Sequence, residues 1–341
     1  MNPKQFYNDK VILVTGGVGS IGSEIIRSVL RYNPRAVRVL DNNETGLFDL
    51  EQELQSGKFR PLVGDIRDKE RLKRAIEDVD VVFHAAALKH VPLCEYNPFE
   101  AVKTNVLGTQ NLIDVAMEAR IEKLITISTD KAVNPINVMG ATKLLAERLT
   151  ISANYYKGAR KTAFLCVRFG NVLDSRGSVV PLFREQIDKG GPITITDPDM
   201  TRFVMSIPKA VDLLLRAAEI GQGGEIFVFK MPALRIGDLA EAMIEELAPY
   251  YGYDPKTIKV EISGKRAGEK IYEELLSEDE AINSREIEDM FIISQAGERQ
   301  ENKKIAAKEY RSDKGGILLG KEEIKEMLRN VLSLSPSETT P

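Results

Sequence analysis

The sequence predicts an α/β protein, a doubly wound parallel sheet followed by a smaller C-terminal substrate-binding domain. Three observations carry that expectation. Short apolar runs alternate with longer stretches of helical spacing, a glycine-rich turn joins the first run to the first helical stretch, and the alternation becomes irregular after Gly170. Parallel neighbours need a crossover between them, and strand–helix alternation supplies one.

Taken in order, VILVT (11–15), AVRVLD (36–41), VDVVFHA (79–85), KLITIST (123–129) and TAFLCVRF (162–169) read as buried strands, with amphipathic stretches between them. A third strand is expected to end at Asp65 in GDIRD. Beyond Gly170 come the loop-like SRGS and DKGGP, and regular elements return at IPKAVDLLLRAAEI and GGEIFVFK. The expected division is a dinucleotide-binding domain of residues 1–171 plus 204–231 and a substrate-binding domain of 172–203 plus 232–332. The last residues, 333–341, read as a disordered tail.

Composition narrows the function classes. With 341 residues, 43% of them hydrophobic, the chain can bury a sizeable core. Its 47 basic and 51 acidic residues leave a net charge of −4 and no dominant basic block, which argues against nucleic acid as a partner. Cys94 and Cys166 make no disulfide framework, and MNPKQFYNDK lacks the apolar core of a signal peptide. A cytoplasmic location is expected. No apolar run approaches the roughly 18 residues of a membrane span.

In TGGVGSIGSEI, Gly16, Gly19 and Gly22 bridge the first strand and first helix. Glycines there let the backbone approach a pyrophosphate seated at the positive end of the helix. Asp41 ends the second strand 19 residues after Gly22, where a carboxylate can bond a ribose 2′-OH and repel a 2′-phosphate. This is the Rossmann pattern, and it favours NAD over NADP. Asp65 could accept from the adenine amino group or be an ordinary loop residue. With Ser20, Ile21, Ile66, Ala85, Ala86, Ala87 and Asn105 these residues form the candidate cofactor set, the small alanines suiting close packing on a cofactor.

HAAALKHVPLCE holds both histidines of the chain, His84 and His90. No Cys or carboxylate stands at matching helical spacing, so no metal is expected. Lys89 either is solvated or, with His90, reaches substrate. STDKAVNPINVMGATK then begins in the last two residues of the KLITIST strand. Thr129, Asp130 and Lys131 sit just beyond it, at the carboxyl edge where ligands bind in open α/β sheets. An exposed Asp130–Lys131 ion pair opening a helix is the alternative.

TGGVGSIG, GDIRD, HAAALKHVP, STDKAVNPINVMGATK, RFGNVL, MTRF and RAGEK occur in this order over nearly the whole chain. Together they resemble the extended short-chain dehydrogenase/reductases and, within them, the UDP-N-acetylglucosamine 4,6-dehydratases of polysaccharide and glycan biosynthesis. The chain resembles the soluble catalytic part of that group, without the membrane region that some larger members carry ahead of it. The resemblance implies Asp130 as the acid that protonates the leaving 6-hydroxyl and Lys131 as the C5 base. It implies that Lys143 holds the nicotinamide ribose, and that Asn171, Val180, Thr194, Arg202 and Glu269 help hold the UDP part. Arg168 and Asn171 stand at a strand end, and the Gly/Ser-rich loop after them suits backbone approach to a diphosphate.

One residue departs from the superfamily. A Tyr is expected four residues before Lys143, and Met139 stands there. The substitution also occurs within the dehydratase group, so it puts the base for the 4-OH in question more than it does the reaction. Thr129 could pass that proton on through water, or Asp130 could take it directly, with Met139 a packing residue. Three functions stay open at this point: the dehydratase, a UDP-N-acetylglucosamine 4-epimerase sharing the C4 oxidation, and a cofactor-binding protein without catalysis. A homo-oligomer is expected.

Overall fold

A computed structural model describes residues 3–265, 268–294 and 309–332. The expected tail at 333–341, and Arg266 and Ala267 of the RAGEK motif, lie outside the described residues. The chain divides into two compact units, described in turn.

The first unit is built on a nine-stranded sheet. Its leading strands are β1 (Val11–Thr15), β2 (Ala36–Asp41), β3 (Phe59–Val63), β4 (Val81–His84), β5 (Lys123–Thr129) and β6 (Ala163–Phe169). They run parallel in the spatial order β3-β2-β1-β4-β5-β6, and Ile226–Phe229 adds a seventh parallel strand beside β6. The order reverses between β1 and β4, the point where α/β sheets open a crevice at their carboxyl ends. β1 and β6 are buried along their whole length, as continuous apolar strands covered on both faces should be. The helices follow their apolar spacing: Gly22, Ile25, Ile26, Ser28 and Val29 are the buried positions of Ser20–Leu30. Leu72, Ala75, Ile76, Leu112, Ile113 and Ala116 pack against Val11, Leu13, Val82 and Leu124 of the sheet.

Two strands depart from the sequence-based division. Ser284–Ile287 and Met290–Ile293 form an antiparallel hairpin, and the second of them pairs with Ile226–Phe229 in register Phe227↔Ile292. The described residues from Leu275 to Ser294 thus belong to the first unit, not to the second domain expected from residue 232 onward. The physical reason is that Ile226–Phe229 is buried throughout and would otherwise be an unpaired apolar sheet edge. On the opposite edge lies β3, with Pro61 exposed at its centre.

The second unit comprises 170–207, 231–274 and the described residues from 310. Asn171–Val172, Thr201–Met205 and Ala233–Arg235 form a small sheet, and Ile193–Ile195 pairs with Val260–Ile262. Val180, Phe183, Leu239, Met243, Ile324 and Leu328 meet in its core. Among the described residues no helix is long and apolar enough to cross a membrane.

Candidate active site

The turn after β1 exists because three positions lack a side chain. Gly16 has φ +68°, and a Cβ there would stand 2.6 Å from the Ala86 nitrogen. A Cβ on Gly22 would stand 2.3 Å from the Gly16 carbonyl oxygen. Both clashes are with backbone, so no rotamer relieves them. The Gly16 N–H donates to Leu40 O at 2.9 Å and the Gly19 N–H to Gly16 O at 3.1 Å. Gly19 then opens the helix Ser20–Leu30 without a side-chain cap. Close backbone packing and an uncapped, positive helix end coincide here, with Ser20, Ile21 and Gly22 in its first turn.

Asp41 ends β2, and its carboxylate accepts from the backbone N–H of Val18 at 3.1 Å and of Asn43 at 3.0 Å. It is therefore tied to the glycine turn. Asp65 lies two residues past the end of β3 instead of closing the strand. Arg67 binds it through both its backbone and its guanidinium, and these bonds hold the Asp65 carboxyl below the usual range. Ile66 is buried against Gly108, where a Cβ would come within 2.7 Å of it.

Ala85, Ala86 and Ala87 follow β4 and are half-buried. The Ala85 N–H donates to Thr15 O at 3.0 Å, bringing this stretch onto Gly16. His84 beneath it is a satisfied core residue. Thr109 Oγ1 gives its proton to Asn105 O at 2.7 Å and so accepts from His84 Nε2 at 2.9 Å. His84 Nδ1 then accepts from Thr15 Oγ1 at 2.8 Å. Burial first, and the charge of Lys143 second, push the imidazole down to about 3. His84 is neutral, and both ring nitrogens are used.

Asn105 falls in a π-helical turn, Val102–Leu107, and is 1% exposed. Its Oδ1 accepts from the Leu88 N–H at 2.8 Å, and its Nδ2 donates to Leu88 O and Thr142 Oγ1, each at 3.0 Å. This amide pins the loop after β4 to the helix Val138–Tyr156. The side chain expected to touch cofactor is spent inside the protein, on both backbone groups of Leu88 and on Thr142 Oγ1, which itself donates to Met139 O at 2.8 Å. Lys89 and His90 are exposed in that same loop.

At the end of β5, Asp130 is fully buried, although Thr129 and Lys131 beside it are only partly so. Asp130 Oδ1 accepts from Thr129 Oγ1 at 2.8 Å and from Lys131 Nζ at 3.0 Å. Asp130 Oδ2 is buried with no hydrogen-bond partner among the described residues. Such an atom costs about 1–3 kcal/mol to leave unsatisfied, which marks the place for a functional reading. The ion pair weighed as the alternative does form, but its carboxylate is inside and not exposed.

The helix Val138–Tyr156 begins at Asn137, whose side chain accepts from the Gly140 N–H at 2.8 Å. Met139, Lys143, Ala146, Thr150 and Ala153 recur at four- and three-residue steps along its buried side. Gly140 lets that side close on the Asp130–Lys131 turn: a Cβ there would stand 2.2 Å from Lys131 O. Met139 is 4% exposed, packed with Cys94 and Ala101. It fills space and has no proton to give, so it is withdrawn from the catalytic set. Lys143 is 8% exposed and donates to Ile127 O at 2.6 Å.

Arg168 is not a diphosphate ligand. It is fully buried on β6, with all five N–H groups spent on Glu147, Glu280 and Leu275 O at 2.7–3.0 Å. Sequence reading missed Glu147 and Glu280 as its partners; an unusual Arg inside an otherwise apolar strand was the available signal.

In the second unit, Asn171 opens the small sheet and Thr194 Oγ1 accepts from Gln186 at 2.7 Å. Val180 is in the core, fully buried. Arg202 donates to Thr201 O and Lys270 O at 2.8 and 2.9 Å, tying its strand to the segment after the half-buried Glu269.

The family described as polysaccharide biosynthesis protein matches residues 12–295. An uncharacterized membrane protein of Methanocaldococcus jannaschii is 66% identical over 327 residues, 96% of this chain and 97% of the relative. A Campylobacter jejuni UDP-N-acetylglucosamine 4,6-dehydratase (inverting) is 43% identical over 290 residues, 84% of either chain. A Rickettsia bellii UDP-glucose 4-epimerase is 39% identical over 335 residues, 95% of this chain and 96% of the relative.

Proposed function

This chain belongs to the polysaccharide biosynthesis protein family, and on that premise we propose that it is an NAD-dependent nucleotide-sugar enzyme that removes water across C5–C6 of UDP-N-acetylglucosamine. The observation that carries the reading is Asp130: a buried carboxylate with Oδ1 bonded to Thr129 and Lys131 and Oδ2 without a partner. An epimerase needs no acid and base side by side for water loss.

The residues after β1 fit a nicotinamide dinucleotide. Gly16 and Gly22 sit where a Cβ would collide with backbone, the helix end beside them is uncapped, and Asp41 is fixed at the same turn. Lys143 is proposed to hold its ribose. When bound, such a group accepts a hydride from C4 of the sugar and returns it to C6, so the reaction is redox-neutral overall.

The chain's own residues handle the protons. The proton leaving the 4-OH reaches Asp130 through Thr129 Oγ1, along the bond to Oδ1. Asp130 then delivers a proton to O6 as water departs. Lys131, as the amine, takes the C5 proton made acidic by the C4 ketone and later returns a proton to C5. In the second unit Asn171, Thr194, Arg202 and Glu269 are proposed to bind the UDP part, Val180 being a core residue and Arg being suited to paired bonds with phosphate.

The test is product analysis on UDP-N-acetylglucosamine carrying deuterium at C4. The product should be one water lighter with the label at C6, and reaction in heavy water should put solvent deuterium at C5. An unchanged mass with inverted C4 would establish the epimerase reading, which the Rickettsia relative favours. Loss of the C4 label to solvent would refute the closed hydride cycle.

A further inference from the structure

Three charged side chains, Glu147, Arg168 and Glu280, meet in the first unit beside the helix Val138–Tyr156, and the buried Lys143 stands one turn before Glu147 on that helix, bonded to Ile127 O. Glu147 lies one turn after Lys143 and takes two Arg168 N–H bonds, at 3.0 and 2.7 Å. Glu280 takes two more from the same guanidinium, at 2.8 and 2.9 Å. Its helix start is locked by a reciprocal cap with Ser277. Arg168 and Glu147 are fully buried, and the Glu280 side chain is 16% exposed. Two carboxylates on one guanidinium leave a net charge of −1, which the exposed Arg148 offsets in part from the Glu280 side and which is costly in the interior without a further partner.

We propose that Glu280 is a positioning residue for Lys143. Acting through Arg168 and Glu147, it leaves the buried cluster one negative charge in excess, and Lys143 balances that charge as an ammonium. Without Glu280 the Glu147–Arg168 pair is neutral and the buried ammonium stands uncompensated. The hairpin segment that completes the sheet would thus also set the charge of a residue in the cofactor site.

The surroundings of Lys143 support this. Burial lowers its hold on a proton, and Glu147 opposes that more than Cys166 does. Cys166 is pushed up by its own burial and is uncharged at ordinary pH, and His84 is neutral. Asp130 and Lys131, on the turn packed against the same helix, pair with each other. Glu95 accepts from Val138 N–H at the helix start, Cys94 beside it is pushed up by burial, and Lys103 pairs with Glu100.

The contact of Lys143 with cofactor rests on the proposed function, so the test reads the charge without it. Unfolding free energy is measured against pH for the full chain, Glu280→Gln, Lys143→Met and the double variant. Folded Lys143 binds its proton less tightly than the unfolded chain does, so stability rises with pH from the folded value up to the ordinary 10.5. In Glu280→Gln that rise should begin at a lower pH, by on the order of one unit for one charge removed from the buried cluster. With Lys143→Met the rise should vanish, and Glu280→Gln should no longer move the profile. Glu280→Asp, which keeps the charge, should restore the parent profile. Should Glu280→Gln be too unstable to measure, Lys143→Met should rescue it; failure of that rescue overturns the proposal. So does a Lys143-dependent rise at the same pH in parent and Glu280→Gln. As a second readout, Glu280→Gln should lose NAD affinity at a lower pH than the parent. A parent that binds no NAD refutes the proposed function, while the stability profiles still decide the charge coupling.

Discussion

Asp130→Asn exchanges one oxygen for nitrogen at nearly constant volume. The retained oxygen can still accept from Thr129 Oγ1 and Lys131 Nζ, the bonds seen at 2.8 and 3.0 Å. What disappears is the carboxylate's capacity to take a proton from Thr129 Oγ1 and give one on, while the buried oxygen without a partner becomes an amide nitrogen. Loss of general acid–base help slows a reaction by about a hundredfold to ten-thousandfold, or roughly 2.7–5.4 kcal/mol of barrier. Stability should not fall with it. A neutral amide costs less to bury than an ionised carboxylate, so the unfolding free energy should stay within about 1 kcal/mol of the parent or rise. The assay is the initial rate of water loss at saturating substrate, followed by mass spectrometry, beside denaturant unfolding of the same preparation. Turnover within about threefold of the parent would refute the role of Asp130. A parallel collapse of turnover and stability would show that the orphaned oxygen is structural and that its chemistry was misread.

Met139→Leu nearly conserves volume in the cluster with Cys94 and Ala101, so it should cost less than about 1.5 kcal/mol and leave turnover within roughly tenfold by the same mass assay. Gly22→Ala puts a methyl group 2.3 Å from the Gly16 carbonyl oxygen; it should destabilise by about 2 kcal/mol or more in thermal unfolding and weaken NAD binding measured by titration. His84 should shape acid stability. Because the folded chain holds it neutral down to about 3 against an ordinary 6.5, the unfolded chain binds the extra proton between those values. Its contribution is complete above about pH 6.5 and lost as pH falls toward 3, so His84→Gln should show a shallower loss of unfolding free energy across that window.

Strands announced by an uninterrupted apolar run between turn residues were legible in the sequence. VILVT, AVRVLD and KLITIST coincide with β1, β2 and β5 residue for residue. The glycine turn was equally legible, because its geometry is local. The hairpin Ser284–Ile293 was not: SREIEDMFII has one short apolar stretch, and only the bare edge of Ile226–Phe229 gives it a partner. In the candidate site, the placing of Thr129, Asp130 and Lys131 at the end of β5 followed from position in the sheet. The burial of Asp130 depends on Gly140 closing on Lys131, a contact no spacing reveals. Helical spacing put Met139 and Lys143 on one side of their helix, yet whether that side faced cofactor or core was decided by Cys94 and Ala101. Asn105 and Arg168 share a lesson: each is polar, near the expected site, and consumed by partners far away in the chain.

Pro61 has a consequence for what the chain does in company. The Gly64 N–H donates to Asp41 O, and Lys58 O accepts from Val37 N–H. With the two-residue alternation of a strand, the amides of 60 and 62 face β2, and those of 59, 61 and 63 face away. At the middle of that outward row stands a residue with no amide hydrogen. A second chain that laid a strand along β3 would find a missing donor at the centre of the ladder and a rigid ring beside it. The sheet therefore ends at β3 by its own chemistry, and on this side copies of the protein in a crowded cell are kept from templating on one another strand to strand.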